Sequence, residues 1–364
     1  MDLPDRIPAE ELSFRKPRPG AADSRDELRY HPAMNARPTR PPRRLAGFLI
    51  FMLALPAFAR ATTAAPATAT TPAATPAAAG AEGPPLKINL DAFEAMKKKA
   101  SLPDGIRLAY LQMGDPRGTP VVLIHGYTDS ARDWVPMLPY LPKRFRLILV
   151  DLRGHGQSSK PDCCYDLYDF AYDIKLLLDQ LHVRKADIVG HSLGSLVAQR
   201  FAETWPQRTN RVVLISSTGG RNPCEPASQR QFDFAAQIRA QKAPLQADSP
   251  FMREWWSSPT PVNREFIRRE REDAARIPLR VWLAVLDQAL TNPDLRTMLP
   301  RLKAPTLLIW GSKDPIMGPE DRASLMAGLP HAQVKIFQGL GHNPFWEQPR
   351  KVAAVITRFL EERR

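Results

Sequence analysis

Long apolar runs are scarce in this sequence. The most apolar stretch near the N-terminus, residues 45–59, has 15 residues, fewer than the ~20 that a membrane-spanning helix needs. Four arginines precede it between residues 37 and 44, and the small residues Ala57 and Ala59 end it, which is the pattern of a secretory signal peptide. We expect cleavage after Ala59 or Ala61 and a periplasmic or secreted protein. Translation from Met34 and an uncleaved membrane anchor over residues 45–59 remain open alternatives.

Cysteine is also scarce. The 364 residues include only Cys163, Cys164 and Cys224, and their spacing excludes a cysteine-based metal site. No cysteine follows residues 45–59, which argues against a lipid anchor. Because an exported chain meets an oxidising compartment and adjacent cysteines seldom bridge each other, we expect Cys224 to pair with Cys163 or Cys164. Three unpaired thiols are the alternative. No pattern predicts a metal or an organic cofactor.

The net charge of +13 comes without a basic stripe interleaved with aromatic residues, so a nucleic-acid partner is not expected. Acidic and basic residues alternate over residues 268–273 (RRERED), which predicts a solvent-exposed helix face. Residues 1–59 form the expected extension and signal peptide. Residues 60–86 are almost wholly Ala, Thr and Pro, a composition typical of a flexible, extended linker.

From residue 87 onward, short apolar runs alternate with helical patterns. Nearly continuous apolar runs of strand length suit strands buried on both faces of a parallel sheet, and the helices between them suit right-handed βαβ units. The Asp104-Gly105 dipeptide predicts a hairpin turn at the start. Strands are expected at 97–102, 106–113, 121–124, 147–150, 186–189, 212–215, 306–309 and 334–337, and helices at 168–181, 193–204 and 351–361.

The alternation stops between residues 217 and 303, where helical patterns occur without strands at 229–241, 250–257, 262–275 and 278–290. An insertion of this kind predicts a mainly helical cap, residues 218–302, on a core formed by residues 87–217 and 303–364. Ligands in open α/β sheets bind at the carboxyl ends of the strands, so the cap is expected to cover the site.

A G-x-S-x-G motif (GHSLG, residues 190–194) lies between an expected strand and an expected helix. In this context the turn is so tight that the serine adopts strained backbone, and the flanking glycines relieve the crowding. The following helix N-terminus adds free N–H groups and positive potential. Ser192 is therefore the candidate nucleophile.

This motif and four other segments make residues 95–364 resemble the α/β-hydrolase family. The HGY sequence at 125–127 is similar to the family's His-Gly-x loop, and the resemblance implies that the backbone N–H groups of Tyr127 and Leu193 form an oxyanion hole. The GSKDP and GHNP segments at 311–315 and 341–344 resemble those that carry the triad's acid and base, here Asp314 and His342. The DLRGHGQS turn at 151–158 also matches the family, and we interpret it as structural.

The chemistry agrees with the resemblance. A serine hydroxyl is a poor nucleophile at neutral pH and needs a base, which His342 provides, while Asp314 orients the imidazole. The alternative acids are Asp321, Asp287 and Asp294. We interpret His125, His155 and His191 as packing or loop-pinning residues. His125, Phe345 and Trp346 are also candidates for the pocket.

These observations predict a serine hydrolase that acts on a carboxylic ester, thioester or lactone through an acyl-enzyme. Related proteins use the same triad for carbon–carbon bond hydrolysis or perhydrolysis, which are alternatives. A binding or sensing protein on a hydrolase scaffold is the non-enzymatic alternative. Ser192 and Thr128 stand where relatives that open epoxides or remove halides carry Asp and commonly Pro, which argues against those reactions. The expected partner is a small-molecule substrate.

Overall fold

One sheet of eight strands organises the part of the chain that the computed structural model describes, residues 83–220, 229–291 and 295–362. The strands are β1 (Lys98–Ser101), β2 (Arg107–Gly114), β3 (Thr119–Ile124), β4 (Phe145–Asp151), β5 (Ala186–His191), β6 (Thr209–Ile215), β7 (Thr306–Gly311) and β8 (Gln333–Phe337). Their order is β1-β2-β4-β3-β5-β6-β7-β8. β1 and β2 pair antiparallel, β2 runs antiparallel to β4, and the pairs from β4 to β8 are parallel.

The α-helices lie between and after these strands. They are α1 (Leu90–Ala95), α2 (Leu167–Gln180), α3 (Leu193–Thr204), α4 (Gln229–Arg239), α5 (Pro250–Trp255), α6 (Arg264–Arg276), α7 (Leu279–Val285), α8 (Pro319–Gly328), α9 (Pro344–Glu347) and α10 (Pro349–Glu361). Each predicted strand and helix is present to within a few residues, and the predicted α/β class, a mostly parallel sheet flanked by helices, is confirmed. α1, α8 and α9 were not predicted, since their short apolar patterns give a weak helical signal.

The centre of the sheet is buried on both faces. Every residue of β5 and of β7 is buried, as the continuous apolar runs predicted for parallel strands covered by helices. The hairpin turn between β1 and β2 contains Gly105, whose φ of 87° suits glycine. The central strands therefore give a rigid support to the loops that follow their carboxyl ends.

Helices α4 to α7 form the segment between β6 and β7, where a helical cap was predicted. The prediction of a wholly solvated face at 268–273 is wrong in part. Arg268 pairs with Glu265 and Glu272 at the surface, but Glu270 is 1% exposed and Glu270 and Asp273 both pair with the buried Arg132. These acids face inward because the guanidinium of Arg132 compensates their charge.

The expected cysteine pairing is also wrong, since Cys163 and Cys164 form a disulfide with each other. Cys224 lies outside the described residues, as do Asp294, the predicted signal peptide and most of the predicted linker. All described residues belong to one unit, Thr70–Arg364. Among them, no helix combines the length and apolar composition needed to cross a membrane.

Candidate active site

Ser192 lies at the sharp turn between β5 and α3. Its φ of 49° and ψ of −119° are rare for a residue with a side chain, and its N–H donates a hydrogen bond of 2.9 Å to the carbonyl of Ile215 at the end of β6. A Cβ on Gly194 would lie 2.2 Å from the carbonyl oxygen of Ile124, so only glycine allows α3 to approach β3 this closely. The turn leaves Ser192 half-buried beside the N-terminus of α3.

Asp314, which follows β7, and His342, which follows β8, form a hydrogen-bonded pair. The Nδ1 of His342 lies 2.9 Å from both carboxylate oxygens of Asp314, which fixes Nδ1 as the donor and leaves the lone pair on Nε2. Asp314 also accepts from the N–H groups of Ile316 and Met317 at 2.9 Å. Burial opposes ionisation of Asp314, but His342 and the two N–H groups outweigh it and lower the carboxyl's pKa.

The backbone of His342 is held by residues next to Ser192. The Oγ of Ser216, the residue after β6, donates to the carbonyl oxygen of His342 at 2.6 Å, and His191 Nε2 lies 3.2 Å from the same oxygen. His191 directly precedes Ser192, and its ring centroid is 5.1 Å from that of His342. Within the described residues, Ser192 Oγ has no hydrogen bond to His342, a contact that often tightens only when substrate is bound.

The predicted oxyanion donors follow the carboxyl ends of two neighbouring strands, β3 and β5. Tyr127 follows β3 and Leu193 begins α3, and neither backbone N–H donates a hydrogen bond within the part of the chain that is described. The first N–H groups of a helix have no intrahelical acceptor, which leaves that of Leu193 available for an anion. The hydroxyl of Tyr127 donates to the carbonyl of Trp282 in α7 at 2.6 Å, which connects this loop to the cap.

The three predicted pocket residues lie in a buried layer behind the site. Phe345 stacks on Trp134 with ring centroids 4.7 Å apart, and the indole of Trp346 donates to Asp133. His125 Nε2 accepts from the N–H of Leu152 and Nδ1 donates to Gly126. Burial, followed by His155, lowers the pKa of His125 to about 3, so its neutral ring pins the loop.

Aromatic side chains of the cap instead surround Tyr127. Its ring meets those of Trp255 and Trp282 edge-on, with centroids 5.9 and 5.5 Å away, and Phe234 and Phe251 pack against Trp255 at 5.4 and 5.5 Å. Phe234, Phe251 and Trp255 are partly exposed. We call these five residues the aromatic cluster. It adjoins the predicted oxyanion donor, and the sequence pattern did not single it out as a site.

The alternative acids have other partners or fall outside the described residues. The carboxylate of Asp321 accepts from the N–H of Gly318 at the start of α8, and Asp287 pairs with Arg239 at the surface. Asp294 is not among the described residues. Of the described candidates, Asp314 is the one that contacts His342.

The DLRGHGQS turn is structural, as interpreted from its sequence. The carboxylate of Asp151 is buried and accepts from the N–H groups of Ala131 and Gln157 at 2.8 Å and from Lys97 Nζ at 3.0 Å. Burial opposes ionisation of Asp151, but Lys97 and these N–H groups outweigh it and lower the pKa. These hydrogen bonds tie the turn after β4 to Lys97 and to the segment that contains Ala131.

One buried group of the described residues carries donors of the types that bind metal ions. The side chains of Asp129, Asp133 and His191 bring one donor atom each to within 4.8 Å of one another. Sequence reasoning interpreted His191 as a packing or loop-pinning residue and missed Asp129, Asp133 and Ser216, because these three belong to no motif with a recognisable spacing. A signal existed only in the two acids of the TDSARD segment after the HGY loop.

Comparison with known proteins adds an independent line of evidence. The family model described as the alpha/beta hydrolase fold matches residues 119–349. The chain is 32% identical over 265 residues to the dihydrolipoyllysine-residue acetyltransferase component of the acetoin cleaving system of Pseudomonas putida, an alignment that covers 71% of this chain and 68% of that protein. It is 26% identical over 283 residues to a monoacylglycerol lipase of Xenopus laevis, covering 73% and 82%. A hydrolase from Pseudomonas aeruginosa matches in structure with a TM-score of 0.62 and 28% identity, covering 73% of this chain and 98% of that one.

Proposed function

This chain belongs to the α/β-hydrolase fold family and is a hydrolase, and we propose that it is a serine hydrolase that cleaves a carboxylic ester, thioester or lactone. The observation that carries the proposal is the hydrogen bond of His342 Nδ1 to Asp314. It is combined with the strained turn at Ser192 and with the hydrogen bond by which Ser216 holds the backbone carbonyl of His342. A histidine paired in this way keeps a basic Nε2, and a serine at such a turn presents its hydroxyl outward.

The proposed reaction has two halves. In the first, Ser192 Oγ attacks the substrate's carbonyl carbon as its proton passes to His342 Nε2, and the carbonyl oxygen becomes an oxyanion that the N–H groups of Tyr127 and Leu193 stabilise. The imidazolium then protonates the leaving oxygen or sulfur, and an acyl-Ser192 ester remains. In the second half, His342 takes a proton from water, the resulting hydroxide attacks the ester, and Ser192 regains its proton as the acid leaves.

The aromatic cluster supports an apolar or aromatic group in the substrate. Tyr127 contributes both the N–H of the proposed oxyanion hole and a ring of the cluster, so a substrate carbonyl bound at the N–H lies near the rings. Partly exposed rings offer apolar area and favourable stacking to a bound group. We therefore propose that esters with aromatic or medium-length apolar acyl groups are better substrates than acetate esters.

Labelling with a fluorophosphonate probe, followed by turnover of p-nitrophenyl esters and lactones, tests the proposal. The wild-type protein should be labelled once and hydrolyse at least one ester, whereas Ser192→Ala should lose labelling and turnover. Ser257→Ala removes an exposed serine of the cap and serves as the matched control that keeps both. Labelling that persists in Ser192→Ala, or a folded wild-type protein that is never labelled, contradicts the proposal.

We also propose that the enzyme works outside the cytoplasm. The support is in the sequence alone, where basic residues, the short apolar run at 45–59 and small residues follow one another in the order of a cleaved signal peptide.

A further inference from the structure

Side chains from the ends of two strands, His191 in β5 and Ser216 after β6, converge on the carbonyl oxygen of His342. Ser216 Oγ donates to it at 2.6 Å, and the Nε2 of His191 lies 3.2 Å away. A carbonyl oxygen only accepts hydrogen bonds, so His191 Nε2 must carry the hydrogen. The residue that directly precedes Ser192 therefore contacts the backbone of the proposed base.

The other edge of the His191 ring faces two buried acids, with which it forms no hydrogen bond. Its Nδ1 lies 3.4 Å from Asp133 Oδ2 and 3.9 Å from Asp129 Oδ2, and His191 and Asp133 are 1% and 0% exposed. Phe345 packs edge-on against the ring at 5.0 Å between centroids. Held between an acid, an aromatic ring and a carbonyl, the imidazole has little room to rotate.

Asp133 is in turn fixed by the helix that follows His342. The indole N–H of Trp346, in α9, donates to Asp133 Oδ1 at 2.7 Å and to the Asp133 carbonyl at 3.0 Å. The contacts thus form a closed path that leads from Trp346 to Asp133, on to His191 and back to the backbone of His342. Movement of His191 would disturb the segment that carries the base.

We propose that His191 is a positioning residue that holds the backbone of His342 so that its imidazole stays aligned between Asp314 and Ser192. This inference rests on the proposed function, because it assigns His342 the role of base. The histidine side chain has two rotatable bonds, so its imidazole keeps its position only if its backbone is fixed. Displacement of a catalytic group by about 1 Å lowers the reaction rate on the order of 100-fold. His191 supplies, from the turn that carries the nucleophile, a donor to that backbone.

A cation bound between Asp129, Asp133 and His191 is the alternative, since one donor atom of each side chain converges. It would use His191 Nδ1 and Asp133 Oδ2, which lie 3.4 Å apart and have no hydrogen-bond partner among the described residues. Burial, followed by the charges of Asp133 and Glu270, raises the pKa of Asp129 well above its usual value, so a proton competes with a cation for this carboxylate. Removal of metal ions separates the two uses, because the contact of His191 Nε2 with His342 needs no ion.

Steady-state kinetics of the full-length protein on a p-nitrophenyl ester test the inference through two variants. His191→Phe keeps a ring but removes both nitrogens, and kcat should fall about 10-fold to 100-fold with KM changed by less than about 2-fold. His191→Gln keeps a donor near the position of Nε2 and should recover most of the loss. If His191→Phe does not fold, Ser216→Ala removes the second donor to the same carbonyl and should lower kcat by about 5-fold at constant KM.

The outcomes separate this inference from the proposed function. Variants whose kcat per folded molecule equals that of the wild type, with only a lower Tm, show that His191 is merely structural and overturn the inference, while loss of activity in Ser192→Ala still supports the hydrolase. Equal losses in His191→Gln and His191→Phe also overturn it, since the donor would then have no role. Loss of wild-type activity in EDTA that Zn²⁺ or Mn²⁺ restores overturns it in favour of a metal site.

Discussion

Ser192, the proposed nucleophile, has a strained backbone conformation. A non-glycine residue at a φ of 49° and ψ of −119° costs on the order of 1–3 kcal/mol, which the surrounding sheet and helix must offset. The strained turn places the hydroxyl in front of the helix N-terminus, and a relaxed turn would not do so.

Replacement of Ser192 by glycine should therefore stabilise the protein while abolishing its activity. Glycine adopts this conformation without strain but loses ~0.5–1 kcal/mol through the entropy of the unfolded chain. We expect Ser192→Gly to exceed Ser192→Ala in unfolding free energy by about 1 kcal/mol, or about 2 °C in Tm, measured by thermal and urea denaturation. Ser192→Ala is the control, since it lacks the hydroxyl but keeps the strain. A Ser192→Gly protein that is less stable than Ser192→Ala would contradict this account.

At the scale of the elements, the turn after β4 depends on one buried carboxylate. The carboxylate of Asp151 accepts hydrogen bonds from Lys97, which directly precedes β1, and from the N–H of Ala131, which lies in the segment between β3 and β4. Because these partners lower its pKa in the folded protein, ionised Asp151 stabilises the fold above its unfolded pKa of about 4. That contribution is lost as the pH falls through the folded value.

Asp151→Asn should cost about 3 kcal/mol of unfolding free energy at pH 7, because it leaves Lys97 without this partner in a buried position. The difference from the wild type should narrow as the pH falls from about 4 toward the lower pKa of the folded protein, because the unfolded chain binds a proton there that folded Asp151 does not. Urea denaturation at several pH values measures both effects. The matched control is Asp162→Asn, whose side chain is 97% exposed. A stability difference that stays constant between pH 7 and pH 3 would rule out the electrostatic explanation.

At the scale of the whole molecule, the proposed location depends on the first 61 residues. Protein recovered from the periplasm or medium should begin at Arg60 or Thr62, because a signal peptidase cuts after the small residues that follow the apolar run. N-terminal sequencing and intact mass measure this directly.

A double variant, Leu49→Arg with Leu53→Arg, is the control for export. Each charge in the apolar run costs ~2.5–3.5 kcal/mol on insertion, so this protein should remain uncleaved in the cytoplasm. An exported wild-type protein that still begins at Met1 or Met34 would refute cleavage and favour the membrane anchor over residues 45–59.

The amount that could be predicted differs between the fold and the site. The strands, most helices and the serine turn were predicted because each depends on a local pattern of apolar residues or glycines within a few positions. The contact of Asp314 with His342 was predicted from the family's motifs, and the structure brings the two side chains together across 28 residues of sequence. The assignment of His125, Phe345 and Trp346 to the pocket stays a prediction, because neither a motif nor proximity to His342 in sequence says which face a side chain takes.

The sequence by itself determined the α/β alternation, the position of the helical insertion and the identity of the serine turn, because hydrophobic period and glycine placement act over short distances. Only the tertiary structure decided which polar groups meet inside the molecule. Ser216 and His342 are 126 residues apart, Trp346 and Asp133 are 213 apart, and Glu270 faces the core only because Arg132 is buried there to receive it. Such pairs depend on the packing of distant elements, and no local pattern encodes that packing.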